Sequence, residues 1–383
     1  PPFNVFCTML KIQSITNALE QWAPPSLALS YDNCGLLVGD PNQRVEKAIV
    51  SLDVTEAVVQ EAINQQANLI IAHHPIIFKG LRSIQPTTDS QRAIILAIKH
   101  DIAIYAIHTN LDRVDDGVNK ALADRLNLTN RCILEEASNL YKLITFVPTK
   151  DLQTVRNALF AIGAGSIGEY EKASFITSGV GSFQGSASSN PRIGKAGEFA
   201  EVEEEKLEVL LTDTLLSSAL KTLHEHHPYE EVAYDVVSLQ NKNQNHGSGM
   251  IGELREPLSS DDFIKYLKNH LGLQLVRHSH PIDNKINRVA ICGGAGFDLL
   301  KNARQKGADA FVTADLKYHN FFDADSTLLL CDIGHYESEH WVIQEIKDYL
   351  TRKFANFAVL SITVNTNPVH YSISIKDGKG KKD

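Results

Sequence analysis

Short apolar runs that alternate with amphipathic stretches, in the first and last thirds of the chain, constrain the fold most strongly. In the first third, a run that favours a β-strand (45–54) precedes residues at helical spacing, and this alternation continues to residue 128. The last third has the same rhythm from residue 287, and a final strand (358–365) closes its sheet. Strands that are joined by helices need crossover connections, which are typical of mostly parallel sheets. We therefore predict an α/β fold class, with two α/β halves that contain mostly parallel sheets.

The middle of the chain has a different order of elements. Strand-like runs begin at residues 141, 174, 203 and 230. One helical pattern (151–163) lies between the first two runs, and another (213–225) lies between the last two. Two consecutive β-α-β patterns are typical of a ferredoxin-like domain. The acidic run 201–206 is interpreted as a solvated turn. The predicted domains are an N-terminal core half (9–135), an inserted α+β domain (139–240) and a C-terminal core half (247–375).

Charge, hydropathy and cysteine usage narrow the class of protein. The formal net charge of −9 argues against a nucleic-acid partner, and no segment has the roughly 18 apolar residues that a membrane span needs. The start of the chain lacks the pattern of a secretory signal, and we assign no fold role to residues 1–8 because Met9 is a candidate start. The five cysteines have no paired spacing, which favours reduced thiols. We expect a soluble, cytoplasmic protein.

Three predicted strand ends carry side chains of the types that bind metals. His73 and His74 end the run 68–75, although histidines of this kind are also common as structural or surface residues. Asp112 follows the run 102–107, where its alternative role is to cap the next helix. His335 and Glu339 are four residues apart at the start of a predicted helix, a spacing that places both on one face.

Together these five residues form a mixed nitrogen and oxygen set, which suits Zn²⁺, Fe²⁺, Mn²⁺ or Ni²⁺ and disfavours Ca²⁺. Five ligands exceed what one tetrahedral ion needs, so the set favours two ions with a bridging carboxylate. His108 is either a further ligand or a residue that orients one.

Six motifs follow one another along the chain: APPSLALSYDNCGLLVG, IAHHPIIFKG, HTNLD, GGAG, TADLKYH and GHYESE. Together they resemble the Nif-three-like family, whose members are called GTP cyclohydrolase 1 type 2 homologues, and the resemblance covers the chain from Met9 to about residue 375. It implies two divalent metal ions, with Zn²⁺ first among the candidates, held by His73, His74, Asp112, His335 and Glu339. It also implies a toroidal homohexamer. The run HHPYEEVAYDV (226–236) resembles a hallmark of PII/CutA-like domains, which implies that the insert is of this kind.

The function that this resemblance implies is metal-dependent hydrolysis, similar to the ring opening by GTP cyclohydrolase, on a nucleotide or related small molecule. His108 and His319 are the candidate catalytic acids or bases. The turn Gly293–Gly296 has the setting of a phosphate-binding loop, but a tight turn that needs small residues explains it equally well. Two alternatives from other classes are a non-catalytic protein that handles metal or senses a ligand through the insert, and a protein-interaction scaffold.

Overall fold

The protein is described from a computed structural model that covers residues 10–137, 140–167, 170–241 and 246–372. It divides into two compact units, one made of residues 1–135 and 245–383 and the other of residues 136–244. Residues 1–8, to which no fold role is assigned, and the tail 376–383 lie outside the described residues. No helix of the described part of the chain is long and apolar enough to cross a membrane.

The N-terminal part of the first unit alternates strands and helices as predicted. Its elements are α1 (Ile12–Trp22), β1 (Gly35–Val38), β2 (Lys47–Ser51), α2 (Glu56–Asn64), β3 (Leu69–Ala72), α3 (Asp89–Lys99), β4 (Ala103–Ala106), α4 (Thr109–Asp112), α5 (Val118–Arg125) and β5 (Thr129–Glu136). The Thr55 hydroxyl caps α2 by accepting a hydrogen bond from the Val58 amide at 3.3 Å. Every residue of β3 and β4 is buried, as expected for strands in the middle of a parallel sheet.

The second unit has the ferredoxin-like order of elements. These are β6 (Leu140–Pro148), α6 (Leu152–Ala161), β7 (Ser174–Gln184), β8 (Phe199–Thr212), α7 (Leu216–His226) and β9 (Tyr234–Ser238). The strand order is β7-β8-β6-β9, with antiparallel pairing throughout. The two helices cover one face of this sheet, and the unit has its own apolar core, to which Leu143, Leu159, Leu207 and Leu223 belong.

The interpretation of residues 201–206 as a turn was wrong, because they lie within β8. This strand is paired on both sides, with β6 and with β7. Hydrogen bonds on two sides outweigh the low strand preference of glutamate.

The C-terminal part returns to the first unit. Its elements are β10 (Gly247–Leu258), α8 (Ser260–Leu271), β11 (Arg277–His278), β12 (Ile286–Ile291), α9 (Leu300–Gln305), β13 (Ala310–Thr313), β14 (Leu329–Asp332), α10 (His335–Glu339), α11 (Val342–Lys353) and β15 (Ala358–Ser361). Short 3₁₀ turns lie at 25–27, 213–215, 297–299 and 318–324.

The first unit contains two sheets. One has the order β1-β4-β3-β2-β15, in which β15, β2, β3 and β4 are parallel and β1 is an antiparallel edge. The other has the order β11-β14-β13-β12-β10-β5, with parallel pairing of β12, β13 and β14. The fold is therefore α/β with mostly parallel pairing at the centre of each sheet.

The last strand differs from the prediction, because β15 pairs with β2 of the N-terminal half and not with the C-terminal sheet. The physical reason is the preceding helix, α11. Its apolar face, which includes Val342, Ile346 and Leu350, packs into the core that contains Ile12 and Leu19 of α1. The chain therefore enters the first sheet as it leaves this helix.

Candidate metal centre

The two neighbouring histidines follow β3 and continue its hydrogen bonding to β2. The amides of His73 and His74 donate to the carbonyls of Ser51 and Leu52. His73 is fully buried, whereas the side chain of His74 is 22% exposed and lines a cavity. Because the chain turns away at the strand end, the two rings stay close, with centroids 5.0 Å apart.

The five predicted ligands lie together in the first unit, in two groups of three. In the first group, His73 Nε2 is 3.5 Å from Asp112 Oδ1 and 4.0 Å from Glu339 Oε1. In the second, His74 Nε2 and His335 Nε2 are each 3.0 Å from Glu339 Oε2. The two nitrogens of the second group are 3.4 Å apart. Glu339 thus presents one carboxylate oxygen to each group.

Two short helices position three of these side chains. The predicted helical turn from His335 to Glu339 is α10, so both side chains lie on the same face one turn apart. Asp112 is the last residue of another short helix, α4, rather than a strand end. The alternative that it caps the next helix is wrong, because the N-cap of α5 is Gly117.

Hydrogen bonds to Nδ1 orient each histidine of the centre. His73 Nδ1 donates to the Ile107 carbonyl at 2.8 Å. The corresponding nitrogens of His74 and His335 contact Asp53 Oδ1 and Asp315 Oδ2, both at 2.7 Å. Because Nδ1 is occupied in all three rings, each directs Nε2 towards the centre, which is the arrangement of metal-binding histidines.

The donor atoms fit a metal ion on a further observation. Within the described part of the chain, His73 Nε2 and Asp112 Oδ1 are buried and have no hydrogen-bond partner. A carbonyl can only accept, so His73 carries its proton on Nδ1 and its Nε2 lone pair is free. Leaving such atoms unsatisfied costs free energy, and a cation between them would remove that cost. The mixed nitrogen and oxygen set suits a divalent transition metal.

Two histidines of the centre favour their protonated form. Burial alone would lower the pKa of both His74 and His335, but the carboxylates of Asp53 and Glu339 raise the pKa of His74 to about 10. The carboxylates of Glu339 and Asp315 likewise raise the pKa of His335, to about 9. These two rings are therefore cationic near neutral pH.

The remaining ligands differ among themselves, because the pKa values of His73 and Glu339 are lowered and that of Asp112 is raised. Burial lowers the pKa of His73 to about 3, so this ring is neutral. Burial would raise the pKa of Glu339, but hydrogen bonds from His335 and His74 hold it well below its usual range. Burial and the neighbouring Glu339 carboxylate raise the pKa of Asp112 well above its usual value.

The glycine turn after β12 supports Glu339 and does not form an open cradle. The Gly293 amide donates to Asn119, and the Gly294 amide donates to the Ser338 hydroxyl. Gly294 has a φ of +62°, and a Cβ there would collide with Glu339 Oε1. The turn needs glycine because Glu339 packs directly on its backbone.

The two candidate catalytic histidines are placed differently. A nitrogen of His108 lies within 4.8 Å of nitrogens of His73 and His74, and His108 Nδ1 contacts Asp32 Oδ1 at 2.8 Å. His319 lies on the 3₁₀ turn 318–324, where its ring contacts Tyr318 and Phe322. It is absent from the described residues that line the cavity beside the centre.

Sequence reasoning did not identify the three carboxylates that orient the histidines, Asp32, Asp53 and Asp315. Asp53 and Asp315 each follow a buried strand by two residues, so their position at strand ends was a usable signal. Asp32 precedes β1 and has no such signal, since only the fold brings it to His108.

Comparisons with known proteins agree with this architecture. Residues 10–368 match the family model described as Duf34/NIF3 (NGG1p interacting factor 3). A protein of Halalkalibacterium halodurans named "GTP cyclohydrolase 1 type 2 homolog" is 39% identical over 363 residues, which are 93% of this chain and 97% of the relative. A Bacillus subtilis protein of the same name is 37% identical over 347 residues, 90% of this chain and 92% of the relative. The crystal structure of a Bacillus cereus protein related to NIF3 covers 95% of this chain and 100% of its own, with a TM-score of 0.80 and 35% identity.

Proposed function

This chain belongs to the Duf34/NIF3 family, and on that premise we propose that it binds two divalent metal ions and uses them to hydrolyse a nucleotide or a related small molecule. The observation that carries the proposal is Glu339, whose two oxygens face two separate groups of ligands. A carboxylate shared in this way is the usual bridge of a dinuclear centre. The name of the two relatives, which refers to a GTP cyclohydrolase, supports a nucleotide as the first substrate to test.

His73, Asp112 and one oxygen of Glu339 would hold one ion, and His74, His335 and the other oxygen would hold the second. When bound, such a pair of ions lowers the pKa of water and polarises the bond that is to be hydrolysed. The chain itself contributes rigid ligands, because Ile107, Asp53 and Asp315 fix the orientation of the three imidazoles.

His108 is the residue that we assign to proton transfer. Its ring lines the cavity beside the centre, and its centroid is 5.2 Å from that of His73 and 5.4 Å from that of His74. His108 Nδ1 forms a hydrogen bond with the Asp32 carboxylate. Burial opposes ionisation of Asp32, but hydrogen bonds from His108 and Thr109 hold its pKa well below the usual range. A fixed carboxylate behind an imidazole sets the ring orientation for acid–base work on the other nitrogen.

The first test is the metal content per chain, measured by elemental analysis on the wild-type protein and on a His74→Ala, Glu339→Ala double variant. We expect about two transition-metal equivalents in the wild type and their loss in the variant. Wild-type protein that stays metal-free after exposure to Zn²⁺, Mn²⁺ and Fe²⁺ would refute the proposal.

The second test separates catalysis from metal binding. Turnover is measured on nucleotides, GTP first, with His108→Ala and with His319→Ala as the matched control. His108→Ala should keep its metal and lose about 100-fold or more of the turnover, whereas His319→Ala should keep both. Two bound ions without turnover of any nucleotide would favour the metal-handling alternative.

A further inference from the structure

A cavity of about 630 Å³ opens beside the candidate metal centre, within the first unit. Its wall includes His74, His335 and His108 on the side of the centre, and Arg277 and Tyr371. Cavities of roughly 300 to 1,000 Å³ hold small organic ligands and cofactors, so its size fits a mononucleotide.

Most of the acidic side chains on this wall already have partners. Asp53 and Asp315 hold His74 and His335, and Glu337 Oε1 accepts from the Asn367 side chain at 3.0 Å. A carboxylate that is engaged in this way repels an approaching anion less than a free one does.

Among the described residues that line the cavity, Arg277 is the one permanent cation. It lies on β11 directly opposite Asp332 of β14. Its guanidinium donates to Asp332 Oδ2 and to the Leu316 carbonyl, both at 3.0 Å, and it lies 5.1 Å from the centre of the Phe321 ring. The side chain is nevertheless 49% exposed. Its orientation is therefore fixed, while its side chain remains accessible at the wall of the cavity.

The carboxylate behind Arg277 is shared among several donors. Asp332 Oδ2 also accepts from the Leu316 amide, and Oδ1 accepts from the Gly334 amide. Because its charge is distributed over three partners, Asp332 neutralises the guanidinium only in part. The positive charge that remains is available to a ligand.

We propose that Arg277 anchors the phosphate of a phosphate-bearing ligand of about mononucleotide size, whose reacting part then faces His74 and His335. The assignment rests on the proposed function, since it names the substrate class of the same centre. An arginine held by a carboxylate and an aromatic ring is preorganised to bind phosphate through two parallel N–H groups, which a lysine cannot do.

The experiment uses the full-length, metal-loaded protein and two probes that differ only in the phosphate, GMP and guanosine. Binding is measured by calorimetry on the wild type, on Arg277→Met, on Arg277→Lys and on Arg255→Met, a control at an exposed arginine of β10. The wild type should prefer GMP. Arg277→Met should weaken GMP binding by about 10-fold or more and leave guanosine binding unchanged, with Arg277→Lys between the two.

The metal content of each sample is also measured, so that a failure of this assignment can be distinguished from a failure of the proposed function. A wild type without preference for GMP, or an Arg277→Met protein that keeps it, would overturn the assignment even if both ions are bound. A fall in the metal content of Arg277→Met would also overturn it, because the arginine would then act through the turn that precedes His335. Absence of metal in the wild type would instead contradict the proposed function.

Discussion

Binding of divalent metal near neutral pH should release about two protons from the protein. His74 Nε2 and His335 Nε2 both point at Glu339 Oε2 from 3.0 Å, and pKa values of about 10 and about 9 favour the protonated form of both rings. An ion in that position needs both lone pairs, so both protons must leave. The number released equals the slope of log affinity against pH. The apparent affinity should therefore rise about 100-fold per pH unit below pH 9 and become independent of these rings above pH 10.

The assay is titration calorimetry with Mn²⁺ at pH 7 and pH 8, in buffers of different ionisation enthalpy, which reports the protons released per protein chain. Asp53→Asn is the matched variant. It removes the carboxylate that contacts His74 Nδ1, lowers the pKa of that ring and should reduce the release towards one proton. The loss of this orienting partner should also weaken binding by about 10- to 100-fold.

Two outcomes would refute this reasoning. Release of less than one proton from the wild type would mean that the two rings are already neutral. An unchanged release in Asp53→Asn would mean that the protons come from elsewhere, for example from Asp112, whose pKa is raised by burial and by the Glu339 carboxylate.

Three other predictions follow from the structure, and a fourth follows from the family resemblance. Elemental analysis should show that Gly294→Ala has lost bound metal, because the new Cβ would displace Glu339. The control is Gly272→Ala, where φ is a similar +66° but the space around the residue is open. A denaturant titration should show that this control lowers the free energy of unfolding by only about 1 kcal/mol. The melting temperature of the metal-free protein should fall as the pH rises from about 8 to about 10. Because folding raises the pKa values of His74 and His335, protonation of these rings stabilises the fold fully below about pH 6.5, and this stabilisation is lost as the pH passes 9 to 10. A fragment of residues 136–244 should unfold cooperatively by circular dichroism, since this unit has its own apolar core; a gradual transition would contradict this. Light scattering should give a mass near six times the 42.3 kDa of one chain, and a monomer mass would contradict the predicted hexamer.

Much of the metal centre was predictable because its ligand pairs are local. The four-residue spacing of His335 and Glu339 and the adjacency of His73 and His74 are visible in the chain itself. A general property of parallel sheets, whose carboxyl ends share one edge, explains only why the residues after β3 lie near those after β4. His335 and Glu339 follow β14 of the other sheet, so the tertiary structure brings them to the centre. The roles of the individual atoms could not be predicted, because Glu339 contacts His74 across 265 positions in the chain.

The sequence determined the local elements and their types, since the periodicity of apolar residues depends only on neighbours a few positions away. The helices α2 and α10 and the buried strands β3 and β14 follow from it directly. Only the tertiary structure decided which sheet β15 joins, where residues 201–206 pair, and which group orients each histidine. These outcomes depend on packing and hydrogen bonds between residues far apart in the chain, and no local pattern encodes the free energy of such contacts.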